Sequence, residues 1–149
     1  MKIKRVFLGG TCNESTWRKE LIPLLKIDYF NPVVDDWTEE CQKREIEERE
    51  KCDFCLYTIT PKMTGVYSIA EVVDDSNKRP YKTIMVLLKE DDGLCFTKGQ
   101  EKSLWAVVNM VNQNGGKVFT NLNAVATFLN DQQNIIIRKI QKIKEFLIK

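Results

Sequence analysis

Ile3-Lys4-Arg5-Val6-Phe7-Leu8 runs straight into Gly9-Gly10, and the chain then changes to helical spacing. An apolar run closed by glycine and followed by a helical period is the opening of a strand–helix–strand unit. The first helix is expected over residues 13–25, with Ser15 or Asn13 as its cap and Pro23 as a flaw in its last turn. The same alternation continues outward. Residues 27–30 form a second strand closed by Asn31-Pro32, and 37–51 a highly charged helix. Residues 54–59 are a third strand stopped by Thr60-Pro61, 68–75 a helix, and 83–88 an apolar fourth strand. A helix over 104–113 ends on Asn114-Gly115-Gly116, a fitting C-cap. A short fifth strand follows over 117–119, then helices over 122–129 and 134–147. Residues 89–100, with Glu90-Asp91-Asp92-Gly93, read as a surface loop.

Strands this uniformly apolar, separated by helices, imply a parallel sheet covered on both faces. Five of them fit an α/β, flavodoxin-like three-layer sandwich with strand order 2-1-3-4-5. A chain of 149 residues is one domain's worth, able to bury roughly 70% of its unfolded surface. Residues 1–149 are therefore read as a single domain.

Composition narrows the chemistry. The balance of 23 Lys+Arg against 21 Asp+Glu, net +2, speaks against nucleic-acid and membrane-surface partners. The chain contains no histidine, which excludes Ser-His-Asp and Cys-His catalysis, His-ligated metals and an imidazole base. Carboxylates or cysteine must handle any protons. Five scattered cysteines (Cys12, Cys41, Cys52, Cys55, Cys95) fit free thiols in a reducing compartment. The N-terminal apolar run is too short for a signal peptide, and no segment approaches the ~20 apolar residues of a membrane span. The expected location is the cytoplasm.

In a doubly wound sheet, ligands sit outside the carboxyl ends of the strands, at the switch point between strands 1 and 3. That rule selects Gly9-Gly10-Thr11 after strand 1, the loop from Asn31 to Trp37 after strand 2, and Thr60 to Ser68 with Glu71 after strand 3. Asp53, at the opposite end, reads as a turn residue. Gly9-Gly10 either permits a tight turn or lets a ligand approach backbone N–H groups. Ser68-Ile69-Ala70-Glu71 has two readings. One is a capping box. The other is a carboxylate at a helix N-terminus, where the helix dipole lowers its pKa and keeps it ionised for nucleophilic attack. Three patterns are weighed as decoys. Cys12 and Arg18 have the C-x5-R spacing of a low-molecular-weight tyrosine phosphatase, but Glu14 and Trp17 inside the loop oppose a phosphate cradle. Cys52 and Cys55 make half a zinc site with no second pair, so structural cysteines are expected. Ile136, Ile140, Ile143 and Leu147 form an amphipathic stripe that suits core or dimer seam.

At these loops the sequence resembles the nucleoside 2-deoxyribosyltransferase-like family, in particular its short branch in bacteria and phages. The matching elements are Val6-Phe7-Leu8-Gly9-Gly10-Thr11, Ser15-Thr16-Trp17-Arg18, Asn31-Pro32-Val33-Val34-Asp35-Asp36-Trp37, Cys52-Asp53 through Thr60-Pro61, and Tyr67-Ser68-Ile69-Ala70-Glu71. The resemblance implies a flavodoxin-like fold, a glutamate nucleophile at Glu71, and oligomers whose neighbouring subunits close the active site. Phe7 stands where better-known members carry tyrosine. Thr60 and Gly65 stand where those members carry acids that protonate the leaving base and hold the sugar. Asp35 or Asp36 is the substitute, and Asp36 is preferred because the adjacent Trp37 ring would raise its pKa.

The chemistry suits the residues without the family. Breaking an N-glycosidic bond needs one carboxylate to capture an oxocarbenium-like carbon and one acid to protonate the base, with no metal or organic cofactor. Glu71 and Asp36 are the expected catalytic pair. Phe7, Gly9, Gly10, Thr11, Trp17, Asn31, Trp37, Gly65 and Ser68 are the expected substrate-binding set, with Trp17 and Trp37 offering aromatic faces for a base. The expected substrate is a deoxynucleoside or its monophosphate, and the expected state a homo-oligomer. The alternative is a non-catalytic nucleotide-binding protein on the same fold.

Overall fold

The computed structural model of the chain describes residues 2–12 and 14–148. Asn13, one of the two expected helix caps, lies outside the described residues. Five parallel strands form the sheet: β1 (Arg5–Gly10), β2 (Asp28–Phe30), β3 (Phe54–Ile59), β4 (Thr83–Leu87) and, late in the chain, β7 (Lys117–Phe119). Their order is β2-β1-β3-β4-β7, the expected flavodoxin-like order once sheet strands alone are counted. Two short strands, β5 (Glu90–Asp91) and β6 (Leu94–Cys95), pair antiparallel beside it.

Alternation along each strand sorts the core into two layers. Val6, Leu8, Leu56, Ile84 and Val86 point to one face, where Trp17 and Leu21 of α1 (Trp17–Leu21) and Val125 and Leu129 of α5 (Leu122–Leu147) cover them. Phe7, Cys55, Tyr57, Met85 and Leu87 point to the other. There they meet Val72 of α3 (Tyr67–Lys78) and Leu104, Val108 and Val111 of α4 (Lys98–Gln113). The charged helix α2 (Glu39–Lys51) starts on Thr38, whose hydroxyl accepts the Cys41 N–H at 3.3 Å.

Four expectations are corrected by the structure, each for an identifiable reason. The first helix is only five residues long and passes into a 3-10 turn at Ile22–Leu24. Pro23 has no N–H for the α-helical ladder, so the chain tightens there. Ser15 is not its cap, because its hydroxyl donates to Asp91. The loop expected over 89–100 is a hairpin turned by Asp92 and Gly93, both with positive φ, and α4 begins inside that span with Thr97 and Gln100 as a capping box. The two expected C-terminal helices are one helix of 26 residues. Its polar centre reads as a break, yet Asn130 accepts the Lys26 N–H at 2.7 Å and Gln133 accepts the Lys4 N–H at 2.7 Å. Those amides serve neighbouring loops and leave the helix intact. Beyond these, the apolar face of α4 packs on the sheet, and α5 beyond Gln133 leaves Ile140, Ile143 and Leu147 of the expected stripe exposed.

Gly10 of β1 pairs with Thr58 of β3. Its φ is +119°, and a Cβ there would stand 2.1 Å from the Thr58 carbonyl oxygen, which already accepts the Thr11 N–H at 2.9 Å. Gly10→Ala should therefore lower stability by about 3 kcal/mol or more, combining backbone strain with a steric clash. At Gly65 a Cβ meets nothing within 4 Å, and Gly65→Ala should stay within about 0.5 kcal/mol of the parent. Urea denaturation of the two variants checks both values.

Candidate active site

The carboxyl ends of β1 and β2 and the start of α3 enclose a cleft of about 330 Å³. Gly9 and Gly10 line it, and a Cβ on Gly9 would collide with the Tyr57 and Phe7 rings at 2.8–2.9 Å. One wall is apolar, built from Phe7, Pro32, Val33, Val34 and Trp37. Phe7 is held by near-parallel stacking on Phe30, centroids 5.9 Å apart. Glu71 and Ser68 enter from α3, and Glu45 from α2.

Beneath the cleft lies a web of charge. The Asp75 side chain is wholly buried and accepts from Arg49 (Nη2 at 2.8 Å, Nε at 3.3 Å), from Arg79 (Nε at 2.9 Å) and from the Tyr57 hydroxyl. Burial alone would push the Asp75 carboxyl up, but these hydrogen bonds hold it below the usual carboxylate range. The Nη1 group of Arg49 is not used by Asp75. It meets Glu71 Oε1 at 3.2 Å. α2 and α3 are thus joined by one guanidinium, with Glu71 at its outer end.

Two expectations about Glu71 are corrected. There is no capping box: α3 begins after Val66 without a side-chain cap, and Glu71 turns toward Arg49. Nor is its pKa lowered. Burial pushes the carboxyl up to about 7; Arg49 pulls it down, and Glu45 and Asp75 push it further up. The helix dipole contributes about 0.3–1 kcal/mol at an exposed end, and desolvation outweighs it here.

The other expected residues divide. Phe7, Gly9, Gly10, Trp37 and Ser68 line the cleft with Glu71. Thr11 and Gly65 line a smaller neighbouring cavity of about 160 Å³, which Ser68 and Gly10 also reach. Asn31 lines a third cavity, on the β2 side. Trp17 is no base platform. It is buried in the core under α5, and its indole N–H donates to the Thr11 carbonyl at 2.8 Å. Asp36 lies exposed on the loop before α2, outside the cleft lining.

Arg18 gives no phosphate cradle with Cys12, because its guanidinium donates to the Leu8 carbonyl (2.9 and 3.1 Å) and the Thr11 carbonyl (2.7 Å). Cys52 and Cys55 are buried, and burial raises their thiols to about 11 and about 12. The Cys55 thiol donates to the Arg49 carbonyl at 3.2 Å. Asp53 accepts the Arg5 N–H and the Lys4 ammonium at the far end of the sheet.

Sequence reasoning missed Glu45 and Arg49. They are four residues apart and therefore share a helix face, but eleven of the thirteen residues of α2 are polar or charged, so no apolar stripe marks that face.

The sequence profile of the nucleoside 2-deoxyribosyltransferase-like family matches residues 3–90. The chain belongs to that family. No curated protein sequence matches it. The matched span runs from β1 to the first residue of β5 and contains Glu45, Arg49, Glu71 and Asp75, while β6, α4, β7 and α5 lie beyond it. Membership supports a role related to deoxyribosyl transfer on nucleosides. Among the described residues, no helix is long and apolar enough to cross a membrane.

The raised Glu71 pKa has a thermodynamic signature. A carboxyl that titrates at about 7 when folded, against an ordinary 4.5, binds its proton more tightly in the native state. Its stabilisation is complete below about pH 4.5 and is lost as the pH rises through about 7. Glu71→Gln removes this term. The melting temperature of the parent should fall relative to Glu71→Gln between about pH 5 and 8, and a constant difference across calorimetric scans would refute the assignment.

Proposed function

We propose that the chain cleaves the N-glycosidic bond of deoxynucleosides or deoxynucleoside monophosphates through a covalent glycosyl ester on Glu71. The deoxyribosyl group then passes to a second base or to water. The observation that carries this reading is the recessed Glu71 carboxylate, fixed by Arg49 at 3.2 Å beneath an apolar wall, in a chain of this family.

The division of the cleft suits the two halves of such a substrate. Trp37, Val33 and Val34 offer a surface for a flat base, and Phe7 shields the sugar side from water. Positive charge developing on the anomeric carbon favours ionised Glu71, so a carboxyl poised near neutrality is pulled into its reactive form as the bond loosens. The ester forms when a Glu71 oxygen takes that carbon and the base leaves with the bonding electrons. No step calls for a metal or an organic cofactor. One observation favours the alternative of a protein that binds nucleotides without turnover: Phe7 has no hydroxyl with which to orient Glu71.

Incubation with a panel of deoxynucleosides and monophosphates, with and without acceptor bases, tests the function by chromatography. Glu71→Gln should reduce turnover by at least ~1000-fold, since the amide cannot form the glycosyl ester. Its melting temperature at pH 7 should not fall below that of the parent, because the amide replaces a buried carboxylate that costs stability there. In the parent, kcat/KM should rise through about pH 7 as Glu71 ionises. A fully active Glu71→Gln protein would exclude this chemistry.

The assembly is proposed to be a homo-oligomer, at least a dimer, joined through the exposed stripe of α5 around Ile140 and Ile143. Light scattering should give at least twice the 17.4 kDa of one chain. Ile140→Glu should yield monomers with reduced activity. A fully active wild-type monomer would overturn the assembly without touching the chemistry.

A further inference from the structure

Glu45 shares the cleft with Glu71 and has no part in the reading above. Its position along α2 is informative. The helix begins beside the carboxyl ends of the strands and runs down the sheet, so Glu45 lies one turn, about 5.4 Å, nearer the mouth than Arg49. Arg49 holds Glu71 at the inner end of the cleft. Glu45 therefore stands above that pair, next to Trp37 and Val34, where a base would rest. The Trp37 indole hydrogen-bonds the Glu45 carboxyl, and burial raises its pKa against that bond and the fields of Arg49 and Arg18.

Two carboxyls in one cleft repel each other's charge, so the pair tends to keep a proton. Arg49 ion-pairs with Glu71 at 3.2 Å and its field also reaches Glu45, so the two carboxyls share one guanidinium. Glu45 also lines the neighbouring cavity of about 320 Å³ bounded by Asn31 and Arg44.

We propose that Glu45 is the general acid that protonates the leaving base, the role that the sequence pattern assigns to Asp36. The proposal rests on glycosidic cleavage through Glu71 and adds the proton donor. As the bond between the anomeric carbon and the base nitrogen breaks, its electron pair stays with the base, and the Glu45 proton moves to a base nitrogen or carbonyl oxygen. A Glu71 oxygen bonds the carbon. In the second half, Glu45, now a carboxylate, takes a proton from water or from the incoming base as that nucleophile displaces Glu71.

The test compares deoxyadenosine with 7-methyl-deoxyguanosine, whose cationic base departs without a proton. Glu45→Gln should slow deoxyadenosine at least ~100-fold in kcat and 7-methyl-deoxyguanosine less than about fivefold. Glu45→Asp, which keeps an acid one methylene shorter, should fall between Glu45→Gln and the parent on deoxyadenosine. Glu71→Gln should abolish reaction with both, and Asp36→Asn should leave both near the parent rate. Equal slowing of the two substrates by Glu45→Gln overturns the proposal, as does a selective loss in Asp36→Asn. A fully active Glu71→Gln, or a wild-type chain that turns over neither substrate, removes the underlying reading and the proposal with it. Melting curves of each variant separate a lost proton donor from a lost fold.

Discussion

A single buried carboxylate organises this molecule. Asp75 has no contact with solvent and binds two guanidiniums and a phenol at once. Such a cluster adds little net stability over an apolar core of equal volume, but removing one member strands the remaining charges at a cost of about 3–5 kcal/mol. Its effect is geometric. Arg49 arrives from α2, Arg79 from the end of α3 and Tyr57 from the central strand, so one anion sets the spacing of three elements. The floor of the cleft inherits that spacing. Lys82 reinforces it by donating to the carbonyls of Arg49, Glu50 and Cys52 at 2.8–2.9 Å, which caps the end of α2 with positive charge.

The cleft shows a contest between two electrostatic effects. A carboxylate on the first turns of a helix gains from the dipole, and an exposed one would be more acidic for it. Glu71 is instead withdrawn from water between α2, α3 and the Phe7 ring, and loss of hydration dominates. Arg49 restores part of what burial removes. A group balanced this way is sensitive to whatever enters the cleft. A cationic carbon lowers its pKa, and a neutral apolar molecule raises it further.

Much of the fold was legible because its signals are local. Short apolar runs flanked by glycine, proline or asparagine marked the strands, and Phe54–Ile59 and Lys117–Phe119 match the expected bounds. The switch-point rule then selected Gly9, Gly10, Trp37, Ser68 and Glu71, and the family resemblance added Phe7; these six meet in one cleft. What failed depended on distant partners. Trp17 reads as a candidate aromatic platform, but the orientation of a five-residue helix turns it into the core. Glu45 and Arg49 are hidden in a helix where nearly every side chain is charged, and only the position of Asp75, 26 residues beyond Arg49, reveals which of them turns inward. Polar residues at the centre of α5 look like a boundary until Lys4 and Lys26 are seen to bond them.

Those last contacts bear on how the chain reaches its native state. The Lys4 N–H and the Gln133 side chain are separated by 129 residues, so the helix that follows every strand in sequence is also the one that ties down the first. Until α5 docks, Val6, Leu8, Leu56 and Ile84 lack the cover that Val125 and Leu129 supply. During synthesis the sheet thus has an uncovered, apolar side until this helix has emerged and folded back. Contacts of such sequence separation slow folding, because loop-closure entropy is lost before they form. The growing chain is accordingly exposed to aggregation until α5 has docked, a vulnerability set by connectivity and independent of how stable the folded molecule is.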